Sequence, residues 1–376
     1  MIKYNLIKDK DFFQGYRIFN NLPYVSFVAN YNIKEAEELL NGFFAELENA
    51  DYIPANLYGL SGIGLTLNYL SKRSNSFKYI EDNFKEDYSE LILTNSQEMF
   101  RIKNYDTFEG IISCLNYFIC IKDIKATCEL TDKLFLLANR LIKDNIDDLG
   151  QAHGLSGIIS CLSKSILFLK EENNNIYVDY LASFVNYLAN TKKTNSDNLL
   201  YRNNKSDITS RLAWCYGDLS IATAFTWYYK VTKNEEFLEK VKEIISNLIQ
   251  YDPKDCLVFY NEKDSYYDLG ICHGLSGIVL VLKRINSIIK CNKITDYIDD
   301  LLNTIKSTLS LIGDNQIEFP NSTADKNIIW AKNTSFLEGT IGVYFVLADE
   351  ELKRGWDSFL LTDFDSDEID VEIQND

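Results

Sequence analysis

The stretch Leu269-Gly270-Ile271-Cys272-His273-Gly274-Leu275-Ser276-Gly277 decides how the chain is read, because its pentapeptide His273 to Gly277 recurs letter for letter as His153 to Gly157. Both histidines of the chain sit in these two copies. A third, degenerate copy is Trp214-Cys215-Tyr216-Gly217. Six sites share a looser pattern, a Gly followed three positions later by Gly or Ser: Gly59/Gly62, Gly110/Ser113, Gly154/Gly157, Gly217/Ser220, Gly274/Gly277 and Gly339/Gly342. Each opens an apolar run. Steps of 44 to 65 residues are too irregular for a tight solenoid and suit helical hairpins with loops of variable length.

Two kinds of helix are predicted. Phe237, Leu238, Val241, Ile244, Ile245, Leu248 and Ile249 follow the 3.6-residue period, with Glu and Lys on the other face. So do Ile294 to Leu309 and the leucines 130, 134, 137 and 141. The segments that open at the glycines, such as Ile278-Val279-Leu280-Val281-Leu282, are apolar nearly all round and should be buried, with small residues three apart allowing close backbone approach. Alternating wet and buried helices imply two layers. If the hairpins pack side by side and the array closes, the fold is all-α, a double-layered α/α toroid of six to seven helical hairpins. The inner helices then run parallel, and residues just before each repeat glycine meet at one rim. Those residues are Tyr58, Glu109, His153, Tyr216, His273 and Glu338, preceded by Leu57, Phe108, Ala152, Cys215, Cys272 and Leu337.

With 376 residues, 46% hydrophobic and 25% charged, the chain can bury a large core. Four prolines and no Gly/Ser-rich linker favour one domain over 1–362, followed by an acidic, disordered tail from Asp363 to Asp376. Thr191 to Thr209 reads as a loop. A net charge of −17 argues against nucleic acid and suits either a cationic partner or plain solubility. The start lacks the apolar centre of a secretory signal, and no run approaches the ~20 apolar residues of a membrane span, so a cytoplasmic address is expected. Eight cysteines then read as reduced. Cys114, Cys120, Cys128, Cys161 and Cys291 fall in or beside helical pattern as filler, and Cys256 has no readable context.

Cys215, Cys272 and His273 form a Cys2His set, and catalytic zinc usually keeps three protein ligands and an open fourth position. The competing reading is an unligated core cluster. Such a site suits capture of a substrate thiol and its attack on a carbon electrophile. His153 has no Cys beside it, which leaves a neutral imidazole able to move a proton.

The Trp214-Cys215-Tyr216-Gly217, Cys272-His273-Gly274 and Ala152-His153-Gly154-x-x-Gly157 elements, in this order and spacing, resemble the LanC-type lanthipeptide cyclases of the stand-alone, nisin-cyclase-like kind, from about Tyr58 to Gly342. The resemblance implies a cyclase holding one zinc ion per chain, which adds Cys thiols of a dehydrated precursor peptide to dehydroalanine or dehydrobutyrine. It places the zinc ligands on Cys215, Cys272 and His273, and the catalytic residues on His153, Asp106, Arg211 and Tyr216. Each of the last three has a plainer reading: Asp106 as a helix N-terminal charge, Arg211 as a salt bridge, Tyr216 as packing. Glu109 and Glu338 are read as helix N-terminal charges. The implied partners are a dehydratase and an export transporter in a membrane-associated complex, with the chain peripheral at the inner membrane face through them. Against the family pattern, Ser113 and Ser220 replace Gly, six signatures stand where seven hairpins are expected, and no insertion for an additional β-domain is visible. Two other classes compete: a LanC-like zinc protein that binds glutathione or a protein, and a zinc thiol-alkylating enzyme resembling the prenyltransferase β-subunit.

Overall fold

Buried and half-wet helices alternate along the chain, as the apolar patterning predicts. The computed structural model describes residues 18–47, 53–169, 174–193, 198–206, 209–313, 316–322, 327–352 and 354–364. The helices pair in order: α1 (Ile18–Val28) with α2 (Ile33–Leu47), α3 (Leu60–Ser71) with α4 (Asn75–Arg101), and α5 (Ile111–Cys120) with α6 (Ile124–Lys143). Then come α7 (Leu155–Leu169) with α8 (Asn174–Ala189), α9 (Gly217–Thr232) with α10 (Glu235–Leu248), α11 (Leu275–Ile289) with α12 (Asn292–Ile312), and last α13 (Thr340–Leu347). The odd-numbered helices each contact the next odd-numbered one, and α13 returns to α1, which closes an inner ring of seven. The even-numbered helices form the outer layer. In α10 the buried side chains are Phe237, Leu238, Val241, Ile244, Ile245 and Leu248, the apolar stripe seen in the sequence.

The fold is therefore the expected all-α double-layered α/α toroid. The inner helix that lacks a glycine signature is α1, which supplies the seventh hairpin together with α2.

The glycines have a local cause. Before most inner helices the loop folds back, so that the helix's leading amide donates to a carbonyl upstream: Leu275 to Asp268 (2.9 Å), Leu155 to Asp148 (3.1 Å), Ile111 to Asn104 (3.1 Å), Thr340 to Asn333 (3.0 Å) and Leu60 to Pro54 (2.8 Å). Amides that a helix start would leave unpaired are thereby satisfied. The fold-back brings backbone against backbone: a Cβ on Gly277 would lie 1.9 Å from the Ile271 carbonyl oxygen. At Gly217 the reason is conformational, since its φ of +67° is a left-handed value that L side chains rarely adopt. Where Ser replaces the second glycine, its hydroxyl turns back on the helix: Ser113 donates to the Gly110 carbonyl (2.7 Å) and Ser220 to that of Gly217 (2.9 Å).

Neighbouring loops are stitched to one another. Leu57 N donates to Phe108 O (2.9 Å), Thr107 N to Ala152 O (3.0 Å) and Gln151 N to Cys215 O (2.9 Å), while Ile271 N and Cys272 N both donate to Leu337 O (2.8 Å). The Cys215 thiol, donating to Cys272 O (3.3 Å), joins these two runs along one rim. Two antiparallel ribbons accompany it: β1 (Tyr260–Asn261) with β2 (Tyr266–Tyr267), and β3 (Phe319–Ser322) with β4 (Ile328–Ala331), packed together by Tyr266 against Trp330 at 5.5 Å.

The acidic tail begins later than the composition suggested. Asp363 and Phe364 are buried, and residues 365–376 lie outside the described residues. The segment from Trp356 to Phe364 is instead a strap that side chains of four inner helices hold. Asn116 of α5 donates to Ser358 O (2.9 Å), and Lys164 of α7 to Asp363 (2.7 Å). From α9, Trp227 donates to Leu361 O (2.8 Å), and from α11, Arg284 donates to Asp357 (2.9 Å). Trp214, on the rim loop before α9, donates to Leu360 O (3.1 Å). Asp-rich sequence reads as solvated, but here each acid has a buried cation waiting.

All eight cysteines are free thiols, with Cys114, Cys161 and Cys256 buried and Cys120, Cys128 and Cys291 half-buried. No helix among the described residues is long and apolar enough to cross a membrane.

Because Lys164 and Asp363 are both almost fully buried, Asp363→Ala should lower stability by about 3–5 kcal/mol. Lys164→Met combined with Asp363→Leu should restore most of that. Urea unfolding checks both, and a loss below about 1 kcal/mol in the single variant would show that the pair does not anchor the strap.

Candidate active site

Two rim loops supply three donor atoms. Cys215 lies on the loop entering α9, and Cys272 and His273 on the loop entering α11; their ligand atoms all fall within 4.8 Å of one another. The Cys272 sulfur is 3.6 Å from His273 Nε2, and the Cys215 thiol donates to the Cys272 carbonyl at 3.3 Å. Tetrahedral zinc, with bonds of ~2.3 Å to sulfur and ~2.0 Å to nitrogen, has ligand edges of roughly 3.5–3.8 Å, so the spacing fits. The hydrogen bond with Cys215, together with burial, pushes the Cys272 thiol well above the ordinary thiol range. A buried thiol such as that of Cys272 resists ionising unless a cation balances its charge, and this donor set suits one. The other ring nitrogen, His273 Nδ1, lies 3.9 Å from Glu338 Oε1, the position of an outer carboxylate that orients a ligating imidazole. Glu338, read from sequence as a helix-end charge, thus faces the donor set.

His153 occupies the same rim two loops away. Its Nδ1 bonds Asp106 Oδ2, while Asp106 Oδ1 accepts the amides of Phe108 (2.7 Å) and Glu109 (3.0 Å). One oxygen of Asp106 thus shapes the turn before α5, and the other holds the imidazole. Burial would raise the Asp106 carboxyl, but His153 and the two amides hold it below its usual range. The Asp106 hydrogen bond in turn raises His153, against the opposing effect of burial, with the charges of Asp106, Asp148 and Glu109 adding to the rise. The imidazole is half exposed, so it opens to the rim.

Aromatic rings line the space between. Tyr58 stacks on Phe108 (6.1 Å), Phe108 meets His153 (6.1 Å) and Trp214 (5.8 Å), and Tyr216 meets His153 (6.4 Å). Burial, then Glu109, Asp106, Cys272 and Glu338, groups from three other loops, push the Tyr58 phenol up to about 12. The Tyr216 hydroxyl donates to Asp148 Oδ2 (3.3 Å). Arg211 lies with its guanidinium 4.4 Å over the Phe259 ring, and its charge acts on both His273 and Asp268. The seven residues expected at the site are thus all on the rim loops.

Two carboxylates of the rim escaped the sequence reading. Asp148 and Asp268 each accept a loop amide at 2.8 Å, from Gly150 and Gly270 respectively. Burial pushes Asp268 up to about 6. A signal for them exists: the repeated pentapeptide extends on both sides to Asp-Leu-Gly-x-x-His-Gly-Leu-Ser-Gly-Ile, at Asp148 to Ile158 and Asp268 to Ile278.

Comparison with known proteins now bears on this geometry. Residues 12–361 match the family profile of the lanthionine synthetase C-like proteins. The chain belongs to that family. It is 21% identical over 360 residues to the nisin biosynthesis protein NisC of Lactococcus lactis subsp. lactis, covering 85% of this chain and 79% of that protein. It is 24% identical over 351 residues to the lacticin 481/lactococcin biosynthesis protein LcnDR2 of the same organism, covering 85% of this chain and 34% of the relative. Among solved structures it is similar to nisin cyclase, with a TM-score of 0.72 and 18% identity over 92% of this chain and 90% of that one. At that identity the structural likeness speaks for the shared fold.

Since the Asp106 bond favours the imidazolium, the His153 proton should persist to higher pH than that of an ordinary histidine, and Asp106→Asn should bring its titration midpoint down by about one unit or more. Imidazole NMR measures this directly. An unchanged midpoint would mean that the pair is not formed in solution.

Proposed function

We propose that this protein is a zinc-dependent cyclase that forms lanthionine and methyllanthionine, adding Cys thiols of a precursor peptide to dehydroalanine and dehydrobutyrine residues. One observation carries the reading: a Cys2His donor cluster and a carboxylate-held imidazole, from separate repeats, share one rim. Among the described residues the donor cluster contains no aspartate, which favours this reading over a prenyltransferase-like one.

Zinc bound by Cys215, Cys272 and His273 would keep an incoming thiol ionised at neutral pH. The remaining work falls to the chain. The sulfur–carbon bond forms at the β-carbon as the C=C π bond breaks, and negative charge moves to the neighbouring carbonyl oxygen. Arg211, fixed on Phe259, offers positive charge for that oxygen. His153, kept protonated by Asp106, delivers the proton that the α-carbon must gain, then recovers one from solvent. Tyr216, tied to Asp148, borders His153 and forms part of the pocket wall. Atoms balance without a co-reactant, because ring closure is an isomerisation. The partners consistent with this chemistry are a dehydratase that makes the acceptor and a transporter that exports the product, with the chain working in the cytoplasm and reaching the inner membrane face through them.

The test joins elemental analysis to a thiol count. Purified protein should carry one zinc per chain, and Cys272→Ala should lose it while His153→Ala retains it. Ring closure leaves the mass of a dehydrated Cys-containing peptide unchanged but protects its thiols from alkylation. The wild type should protect them, and His153→Ala should be slower by a factor on the order of 10²–10⁴. Full alkylation after incubation with zinc-loaded wild type would sink the cyclase reading for that peptide and leave the glutathione- or protein-binding alternative.

A further inference from the structure

Four of the rim loops carry Asp or Asn six residues before the repeat glycine: Asn104, Asp148, Asp268 and Asn333. Their side chains make the same turn, accepting the amide two residues on: Asp106 at 3.2 Å, Gly150 at 2.8 Å, Gly270 at 2.8 Å and Ser335 at 2.9 Å. For the turn alone, then, Asn serves as well as Asp. Yet the carboxylate is found in the two loops that also carry a histidine five positions later, and the amide in the two that do not. The charge is an addition to the turn.

In the third loop the second oxygen of that carboxylate has a use. Asp148 Oδ2 accepts the Tyr216 hydroxyl (3.3 Å), and the Tyr216 ring lies against the His153 ring. The loop backbone reinforces the link, since Gln151 N donates to Cys215 O beside Tyr216. Asp148 is half-buried, so its charge is only partly screened by water.

We propose that Asp148 is a second positioning residue for His153, independent of Asp106, which pins the Tyr216 phenol beside the imidazole and supplies it with a second negative charge. The charged groups acting on His153 are Asp106 and Glu109 from the second loop and Asp148 from its own, and Tyr216 packs against it from the fourth. Of the three carboxylates, Asp106 is hydrogen-bonded to the ring, Glu109 is exposed, and Asp148 accepts the side-chain hydroxyl of Tyr216, a neighbour of the imidazole. The inference rests on the proposed function only in giving His153 a proton to deliver.

Asp148→Asn isolates the charge, because Asn104 and Asn333 already make this turn in sister loops. With imidazole resonances assigned through His153→Gln, the His153 midpoint in zinc-loaded Asp148→Asn should fall by about half a pH unit. Asp148→Ser, which retains an acceptor for the Gly150 amide, should do the same and stands in if the Asn variant does not fold. Asp147→Asn, which removes an exposed charge next door, should leave the midpoint in place. On a dehydrated peptide that the wild type cyclises, Asp148→Asn should lower kcat about threefold on the alkaline side, with the alkaline limb of the pH profile moved down and KM little changed. A His153 midpoint equal to that of wild type in a folded, zinc-replete Asp148→Asn protein would overturn the proposal, as would an equal fall in Asp147→Asn. The titration needs no substrate, so a wild type that fails to cyclise would remove the cyclase reading and still leave the role of Asp148 to be decided.

Discussion

The back-folded loop that pairs an inner helix's leading amide with its own upstream carbonyl is the constraint on which the rest of this structure depends. It costs the chain every side chain at the crossing point, which is why a Cβ at Gly277 would strike the Ile271 carbonyl. In exchange each loop is rigid, because its backbone groups are spent on the helix start and on the next loop. Rigid loops joined edge to edge give a rim on which positions tens of residues apart acquire fixed relative places. Donors on such a rim need little ordering when a ligand arrives, and that favours tight metal binding over induced assembly.

Identical local sequence around the two histidines ends in different chemistry because of their neighbours. His273 follows Cys272, and with Cys215 across the loop boundary its Nε2 faces sulfur while Nδ1 faces Glu338. His153 follows Ala152, has no Cys beside it in sequence, and gives its Nδ1 to Asp106. The first histidine thereby joins a donor cluster, and the second is left with a raised affinity for a proton. On the proposed reading, one repeat unit, duplicated, would supply both halves of a sulfur addition: a place to ionise the thiol and a place to hold the proton.

Much of this was legible in one dimension. The inner and outer helices follow from apolar patterns such as Phe237 to Leu248, and aligning the residues before each glycine already gathers Cys215, Cys272, His273 and His153 at one rim. Asp148 and Asp268 were not found, although their repeat identity was in view, because an Asp that shapes a turn and an Asp that merely solvates a loop have the same letter. Only the second oxygen's partner, Tyr216 in another repeat, tells them apart. Helix α1 has no glycine mark in the sequence, because no Gly-x-x-Gly or Gly-x-x-Ser pair precedes it. Asp363, assigned by composition to an acidic tail, is buried because Lys164, far away in sequence, neutralises it, and burial of an acid cannot be inferred until its cation is placed.

The strap also bears on why the site lies where it does. Side chains from α5, α7, α9 and α11 reach it, so it lies inside the inner ring, and its carbonyl at Leu360 is bonded to Trp214, next to Cys215. A donor loop supported from below by a buried indole and from the side by its neighbours has one direction left in which to face. The exposed edge of His153 and the exposed ring of Tyr58 mark that direction as the open rim. Stability and reactivity are thus placed on opposite ends of the same helices: paired charges and apolar contacts hold the interior, and the unpaired chemistry is confined to the loops where the chain turns inward.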